Sequence, residues 1–458
     1  MTNLIDGKPL SGFQDLLPAD ALVFERATEQ LKSVFRRYGY APIDTPCIYR
    51  YETLTGGKAG IDKQLFEWKK KAGAEGSREE GEHIALRFDL TVPMARYVAS
   101  NFSKLTFPFK RYDIGKVWRG ESPQKGRYRE FYQCDFDIVG STAPSADLEI
   151  ALVMHDALVA LETEKFQIRL NDRQILNGLL QSLQLLDRSE EILRVLDKLD
   201  KVKEEDIRAE LVRAKDAEKP GLELTEEAAS SLLNFVKLSS REDDDAVLAL
   251  LAEQFANHET ALAGVSRLKF VVNGAKQLRT KEKFTIDLSI ARGLGYYTGT
   301  VYETVLLDNP RLGSVCSGGR YDNLASYYTK ERLPGVGASV GLSRLLSARA
   351  PQTQAAPCPV LIAVEPSLDP IEGARVAARL HAAQLGAEVY PQGQPGSPES
   401  AKLAKQLKYG SSRGHLLTII VAPAELSRGA VMLKDMRAQS QEEIALDALV
   451  EALRQRLG

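Results

Sequence analysis

The amino-acid sequence predicts an α+β protein: strands paired through a long hairpin, a helical block inserted between strands, and a small α/β unit at the C-terminal side. Three observations predict this. In 109–140, FKRYDIGKVWRGESPQKGRYREFYQCDFDIVG, two alternating runs flank a basic loop, and a period of two belongs to strands rather than helices. From about Asn171 to Thr280 the composition turns to Leu, Lys, Glu and Asp with few glycines, as in helices with solvated charged faces. Beyond the linker, apolar runs alternate with helical patterns to the end of the sequence, the pattern of a small α/β layer.

Composition sets the bounds. A length of 458 residues is enough for two or three domains and a large core. The net charge of −2 gives no global basic field, so any contact with nucleic acid must come from local patches. Cys47, Cys134, Cys316 and Cys358 lie far apart with no C-x-x-C pair, and the five histidines form no ligand-spaced cluster. That spacing argues against both a disulfide framework and a structural zinc site. No apolar run reaches the ~18 residues of a membrane span. The start, MTNLIDGKPL, has neither a signal h-region nor an Arg-rich amphipathic leader. The chain reads as cytoplasmic, with no membrane partner.

Taken in order, Gly12–Pro18 is a turn into a helix from Ala19 to about Tyr38, with Leu22, Val23, Ala27, Leu31 and Val34 at near-helical spacing. Gly39–Pro46 breaks it into an extended segment. Ile84–Thr91 is a strand leading into a helix that starts near Pro93, and Asp89 and Thr91 at the turn are of the types that cap helix N-termini. In the hairpin, Arg111, Asp113, Gly115, Val117 and Arg119 share one face. Gln133, Asp135 and Asp137 share a face of the second run, opposite Cys134, Phe136 and Ile138. The expectation is an apolar face packed down and a polar face turned up. The joining loop, 120–128, exceeds the ~2–5 residues usual for a hairpin. It carries Lys125, Arg127 and Arg129, with Arg119 just before it. Guanidinium forks above a platform of carboxylates suit a ligand that is polyanionic at one end and an amine at the other. The plain alternative is a solvated basic loop beside a half-buried strand.

A helix over 146–161 and a strand over 166–170 lead into the helical block, with helices at 192–199, 246–255 and 258–268. A strand at 284–290 returns the chain to the sheet, ending in Ala291-Arg292-Gly293-Leu294-Gly295-Tyr296-Tyr297-Thr298-Gly299 and a further strand, 300–307. The glycines permit tight turns, and a hairpin with Tyr residues packed on the sheet is the plain reading. Ser317–Asp322, SGGRYD, is a glycine-rich strand end. Gly335–Leu345 is a strand running into a helix that carries Arg344, with small residues ahead of the helix N-terminus that permit close approach of a phosphate or adenine. The Ala/Pro/Gln-rich 347–358 is the linker. After it come a strand at 360–364, a helix at 373–385, a strand at 388–390, a helix at 400–409, a strand at 416–421 and a C-terminal helix at 442–457.

These residues carry a family resemblance. Arg119-x-Glu121, followed by Gln124-Lys125-Gly126-Arg127-Tyr128-Arg129-x-Phe131, resembles motif 2 of the class II aminoacyl-tRNA synthetases. The segment Gly335–Leu345 resembles motif 3, and the helix, short strand and proline through Pro46 resemble motif 1 by position. ARGLGYYTG and SGGRYD are similar to the two signatures of the histidyl-tRNA synthetases, and the resemblance runs from Gly12 to the end. Gly295 stands where Asp is commoner, and Asp89 where many members carry Glu.

The resemblance implies a class II fold, an antiparallel sheet flanked by helices. Its catalytic domain would span 1–170 and 281–350, a helical insertion domain 171–280, and an α/β anticodon-binding domain 351–458. It implies ATP-dependent ligation of L-histidine to its tRNA through histidyl-adenylate, by a homodimer using Mg²⁺ with ATP. Arg119 would hold the α-phosphate and the histidine carboxylate, with Arg292 as a second catalytic cation. Asp89, Thr91 and Gln133 would receive the α-amino group, and Asp137, Tyr296 and Tyr297 would complete the histidine pocket. Glu121, Arg127, Phe131 and Arg344 would bind ATP. Gln124, Lys402, Lys405 and Lys408 would face tRNA, although three lysines on one helix face are as readily a solvated surface. No residue is singled out as a metal ligand. The alternative is a catalytically inactive, histidine-sensing regulatory protein of the same fold.

Overall fold

The computed structural model describes residues 5–56, 65–69, 83–123, 126–199, 202–215, 221–241, 243–290, 297–348, 356–397 and 399–457. The chain forms two compact units, Met1–Asp15 with Arg26–Arg349, and Leu16–Glu25 with Ala350–Gly458.

The strands of the first unit are β1 (Ala41–Pro42), β2 (Ile48–Arg50), β3 (Glu67–Lys69), β4 (His83–Leu86), β5 (Phe109–Trp118), β6 (Glu130–Val139), β7 (Phe166–Asp172), β8 (Phe284–Ile286), β9 (Thr300–Leu306), β10 (Cys316–Tyr321) and β11 (Gly335–Val340). Eight of them form one sheet in the order β1-β5-β6-β11-β10-β9-β7-β8, and β2-β4-β3 form a small second sheet. The six central strands of the large sheet are antiparallel, as expected, but β1 joins β5 and β8 joins β7 in parallel at the two edges, so the sheet is mixed.

The hairpin β5–β6 pairs along its length, from Phe109 opposite Val139 to Trp118 opposite Glu130. Its apolar face packs as the alternation predicts: Phe35, from the helix Pro18–Arg37, lies 5.1 Å from Phe136 and 5.4 Å from Tyr112, ring centre to ring centre. The polar face departs from expectation. Arg111, Asp113, Asp135 and Asp137 are all buried rather than turned to solvent. Charged groups survive burial only when paired or hydrogen-bonded, and here Arg111 supplies the balancing cation.

A second departure lies at 284–307. No hairpin forms there, because β7 sits between β8 and β9 and pairs with both. The expected strand also stops at Ile286. The helical segment runs as Arg173–Ser182, Ser189–Leu196, Glu204–Val212, Glu226–Arg241, Asp244–Gln254 and Glu259–Leu278. Asp172 opens it by accepting from the Gln174 amide at 2.9 Å, and the same carboxylate holds Arg267 of the helix Glu259–Leu278 at 2.7 and 3.0 Å. One buried acid thus caps a helix and ties the segment to the sheet.

The second unit has β12 (Val360–Val364), β13 (Ala387–Val389), β14 (Leu417–Val421), β15 (Ala430–Asp435) and β16 (Gln441–Ala445), in the order β13-β12-β14-β15-β16. β13, β12 and β14 are parallel; β15 and β16 are antiparallel additions. The expected helix over 442–457 begins only at Leu449. Gln441–Ala445 favours helix by residue type, but pairing with Ala430–Lys434 decides its conformation.

Candidate active site

Two adjoining cavities open on the polar face of the large sheet. The larger, about 250 Å³, is lined by Asp89, Thr91, Gln133, Asp135, Asp137 and Tyr297 among others. The smaller, about 140 Å³, is lined by Glu121, Arg127, Phe131, Gly341 and Ser343 among others. Arg119, Gln133, Ser339 and Arg344 line both, so two guanidinium groups stand where the cavities meet.

Sheet register assembles the floor of the larger cavity. Arg111 faces Asp137 and Asp113 faces Asp135 across β5–β6, while Asp137 and Asp135 face Gly337 and Ser339 of β11. Arg111 Nη2 reaches Asp137 Oδ2 at 2.6 Å, and the Tyr321 hydroxyl donates to Asp137 Oδ1. Gly337 is required here, since a Cβ would stand 1.9 Å from Asp137 Oδ1. Gly319 plays the same part for Tyr297, whose ring a Cβ would meet at 2.8 Å.

Among the described residues, the remaining acceptors are only half used. Asp89 Oδ1 accepts from the Val92 amide at 3.1 Å, in the capping role its residue type predicts, and the helix begins at Thr91, placing Pro93 harmlessly in its first turn. Asp89 Oδ2 is buried with no hydrogen bond. Asp135 Oδ2 accepts from the Thr91 hydroxyl at 3.5 Å, whereas Asp135 Oδ1 has no donor. Gln133 donates through Nε2 to Ser339 Oγ at 3.3 Å, leaving its Oε1 without one. Among the described residues, three acceptor atoms without a hydrogen-bond donor therefore line one cavity. Native structures rarely leave such groups unpaired unless a ligand completes them.

Burial raises the carboxyl pKa values. Asp89 is pushed up to about 6 by desolvation, against the Val92 amide and the fields of Arg119 and Arg111. Asp135 is pushed up to about 7 by desolvation and by Asp137, with Arg111 opposing. Asp137 is raised by the same desolvation, held back by Arg111 and the Tyr321 hydroxyl. Burial works against the charge on Arg111 as well, but Asp137, Asp135 and Asp113 outweigh it and keep it protonated. A bound cation would draw these carboxyls back to their ionised form.

On the smaller cavity, Arg119 is fixed by its Nε–H to the Phe88 carbonyl at 3.0 Å, with its guanidinium carbon 5.1 Å from the centre of the Phe131 ring. Arg344 donates to the Ser314 carbonyl at 2.6 Å. The β5–β6 connection is anchored by Arg129, whose amide donates to the Gly12 carbonyl and whose side chain donates to the Glu121 and Ser11 carbonyls. Gly12, at φ +86, allows this, because a Cβ would lie 2.7 Å from Arg129 Cγ.

A family model described as histidyl-tRNA synthetase matches residues 12–345, and one described as anticodon binding domain matches 370–456. The histidine–tRNA ligase of Rhodopirellula baltica is 41% identical over 98% of this chain and 99% of its own length. The chain belongs to the histidyl-tRNA synthetase family. The histidine–tRNA ligase of Wolinella succinogenes is 38% identical over 98% of both chains. The crystal structure of the histidyl-tRNA synthetase from Nostoc sp. PCC 7120 is 31% identical and superposes with a TM-score of 0.84, covering 99% of this chain and 100% of that one.

Of the site residues the sequence points to in this synthetase fold, Asp89, Thr91, Arg119, Gln133, Asp137 and Tyr297 line the larger cavity. Arg119, Glu121, Arg127, Phe131 and Arg344 line the smaller. Gln124, Arg292 and Tyr296 lie outside the described residues. Lys402, Lys405 and Lys408 are exposed along one face at the helix Leu403–Arg413 of the second unit. Sequence reasoning left out Asp135, Ser339 and the buried Glu303, which also line the larger cavity. Asp135 was within reach, because it shares its alternating face with Gln133 and Asp137.

Proposed function

We propose that the larger cavity is the histidine site, with the α-ammonium group seated on Asp89 Oδ2, Asp135 Oδ1 and Gln133 Oε1, and that the smaller cavity takes ATP. The observation that carries this reading is the set of three buried acceptors without donors among the described residues, which an –NH₃⁺ group with its three N–H bonds complements. The chain is an enzyme of histidine–tRNA ligation, and class II synthetases use ATP for that reaction.

A histidine carboxylate oxygen attacks the α-phosphorus, the bond to the β-phosphate oxygen breaks, and pyrophosphate leaves with that electron pair. A terminal ribose hydroxyl of tRNA then attacks the acyl carbon, giving up its proton as AMP departs. Negative charge rises at the α-phosphoryl oxygens in the first step, so catalysis rests on cations fixed before the reaction. Arg119 and Arg344 border both cavities, where the carboxylate and the phosphate chain meet. By its place in ARGLGYYTG, Arg292 is the further cation. Asp137 and Tyr297 define the imidazole end, with Tyr296 by its position in the same signature. Phe131 and Arg344 take the adenine, and Arg127 the outer phosphates.

Mg²⁺ with ATP is part of this reading. Glu121 is the carboxylate lining the smaller cavity, and it fits an ion that takes one carboxylate and fills the rest of its shell with phosphate oxygens and water. Bound there, the ion would neutralise charge on the phosphates.

Residues 171–280 serve as the insertion domain and 351–458 as the anticodon-binding domain, with Gln124 and the exposed Lys402, Lys405 and Lys408 toward tRNA. The enzyme works in the cytoplasm as a homodimer, supported by the motif 1 resemblance. No helix among the described residues is long and apolar enough to cross a membrane.

ATP–pyrophosphate exchange measured with each amino acid in turn tests the reading. Exchange should depend on histidine, and imidazolepropionate, which lacks the amino group, should compete poorly. Exchange with another amino acid would refute the histidine site. Histidine binding without exchange would leave the inactive, histidine-sensing alternative.

A further inference from the structure

A cluster in the second unit has no part in that reaction. Cys358, Glu388 and His415 are far apart in sequence, yet their donor atoms lie within 4.8 Å of one another. Topology brings them together. β13, β12 and β14 are parallel neighbours, so their amino-terminal ends lie side by side. Cys358 and His415 each stand two residues ahead of register partners Val360 and Leu417, and Glu388 pairs with Leu361.

The three donor atoms converge on one another. His415 is 3% exposed. Its Nδ1 lies 3.1 Å from the Cys358 carbonyl, which can only accept, so Nδ1 carries the ring hydrogen. Nε2 then turns its lone pair toward Glu388 Oε2, 3.1 Å away. Nε2 and the carboxylate thus face each other beside the Cys358 thiol. Arg413, 3.1 Å from Glu388 Oε2, and the Tyr409 hydroxyl, which donates to Oε1, hold the carboxylate in place.

We propose that Cys358 Sγ, His415 Nε2 and Glu388 Oε2 form a binding site for a thiophilic divalent ion such as Zn²⁺, with a fourth position left to water. Sulfur, imidazole nitrogen and carboxylate oxygen are the donor set zinc takes in tetrahedral sites. A ligating imidazole that donates its other N–H to a carbonyl is the usual outer support of such a site. On binding, the Cys358 S–H proton passes to solvent and a sulfur–metal bond replaces it. That thiol otherwise donates to the Val360 carbonyl at 3.6 Å. Ligands of α/β sheets that take part in chemistry gather at the carboxyl ends of the strands. This site is at the amino ends, and the ion acts as a staple across three strands.

The test uses full-length protein stripped by a chelator and kept free of histidine, which binds zinc itself. Zn²⁺ is titrated against a chromophoric competitor, Co²⁺ binding is followed by absorption, and thermal unfolding is recorded with and without Zn²⁺. One equivalent of ion, a near-ultraviolet thiolate-to-cobalt band and a higher Tm with Zn²⁺ are expected. Cys358→Ser should abolish the band, and His415→Gln should weaken Zn²⁺ binding at least about tenfold. Glu388→Gln should keep the band while weakening the ion. If a variant fails to fold, the wild-type protein still decides. Absence of a bound equivalent, or a cobalt spectrum without a thiolate band, overturns the proposal, as does a band that survives in folded Cys358→Ser.

Discussion

The sheets of the two units solve opposite problems. β12 of the second unit reads Val-Leu-Ile-Ala-Val and is buried along its whole length, packed with β14 against Val376, Leu380, Leu449 and Leu453. The corresponding interior of the first unit, β5–β6, buries an arginine and three aspartates. The apolar sheet gains from every buried side chain. The charged one loses desolvation energy at each group and recovers it only in part through Arg111. The first sheet gives up stability to line a cavity with charge, while the second is held by apolar packing.

Substitutions in either unit test this contrast. The largest effect is expected from Arg119→Ala. It removes a fixed cation at the junction of the cavities, and histidine-dependent pyrophosphate exchange should fall ~10²–10³-fold. Arg119→Lys should recover little, since it lacks the planar fork. Unchanged exchange in a folded Arg119→Ala protein would detach the cavity junction from catalysis.

Next come two glycines, one from each unit. Gly337→Ala would place a Cβ 1.9 Å from Asp137 Oδ1 and 2.7 Å from the Phe136 carbonyl. Neither can move away, because Asp137 is held by Arg111 and Tyr321, so the cost should reach about 3 kcal/mol or more. Gly410→Ala meets the terminal Cδ2 of Leu361 at 2.7 Å, a flexible obstacle. The ~1 kcal/mol of helix propensity it gains should leave it within about 1 kcal/mol of wild type. Denaturant titration compares them, and equal costs would erase the contrast.

The pH dependence of histidine binding should be smaller. The proposed ammonium site needs Asp89 and Asp135 ionised, and their pKa values stand at about 6 and about 7. Affinity should therefore fall roughly twentyfold between pH 8 and pH 6, after allowing for the imidazole's own titration. A flat profile would show that these carboxyls do not meet the amino group. The smallest effect belongs to the second unit. Replacing Lys402, Lys405 and Lys408 together by Ala should raise the KM for tRNA several-fold and flatten its salt dependence, with exchange unaffected. A tRNA KM unchanged at low salt would make that face solvated surface.

The architecture was legible where local patterns and burial agree. β12 and β14 are short apolar runs, and β5–β6 alternate cleanly. Position in the sheet was less visible. Nothing local in Phe284–Ile286 says that it will pair in parallel with β7 rather than fold back on β9, since a sheet partner is chosen by residues distant in sequence. Gln441–Ala445 failed for a related reason, its residue types favouring helix until β15 supplies a partner. At the candidate site, residue types and the motif resemblance indicated Asp89, Thr91, Gln133 and Arg119. They could not show that one oxygen of Asp89 caps a helix while the other stays empty, nor that Asp135 sits beside it. The cluster Cys358, Glu388 and His415 was invisible for the same reason: its spacing is set by three parallel strands rather than by a local motif.

The most direct test of the central claim is the thermal unfolding of Asp135→Asn with and without histidine. The pKa of Asp135 rises from 3.8 to about 7 on folding. Between those values the folded chain keeps a proton that the unfolded chain has lost, so this group's contribution to stability falls as pH rises from about 4 to about 7. Above pH 7 its charge opposes folding. Asn is similar in shape and carries no charge. At pH 8 the variant should therefore unfold at a higher temperature than wild type, and histidine should no longer raise its Tm as it raises that of wild type. A lower Tm for the variant without ligand, or an undiminished histidine shift, would contradict the claim that this buried acceptor is kept at the expense of stability to hold the substrate's amino group.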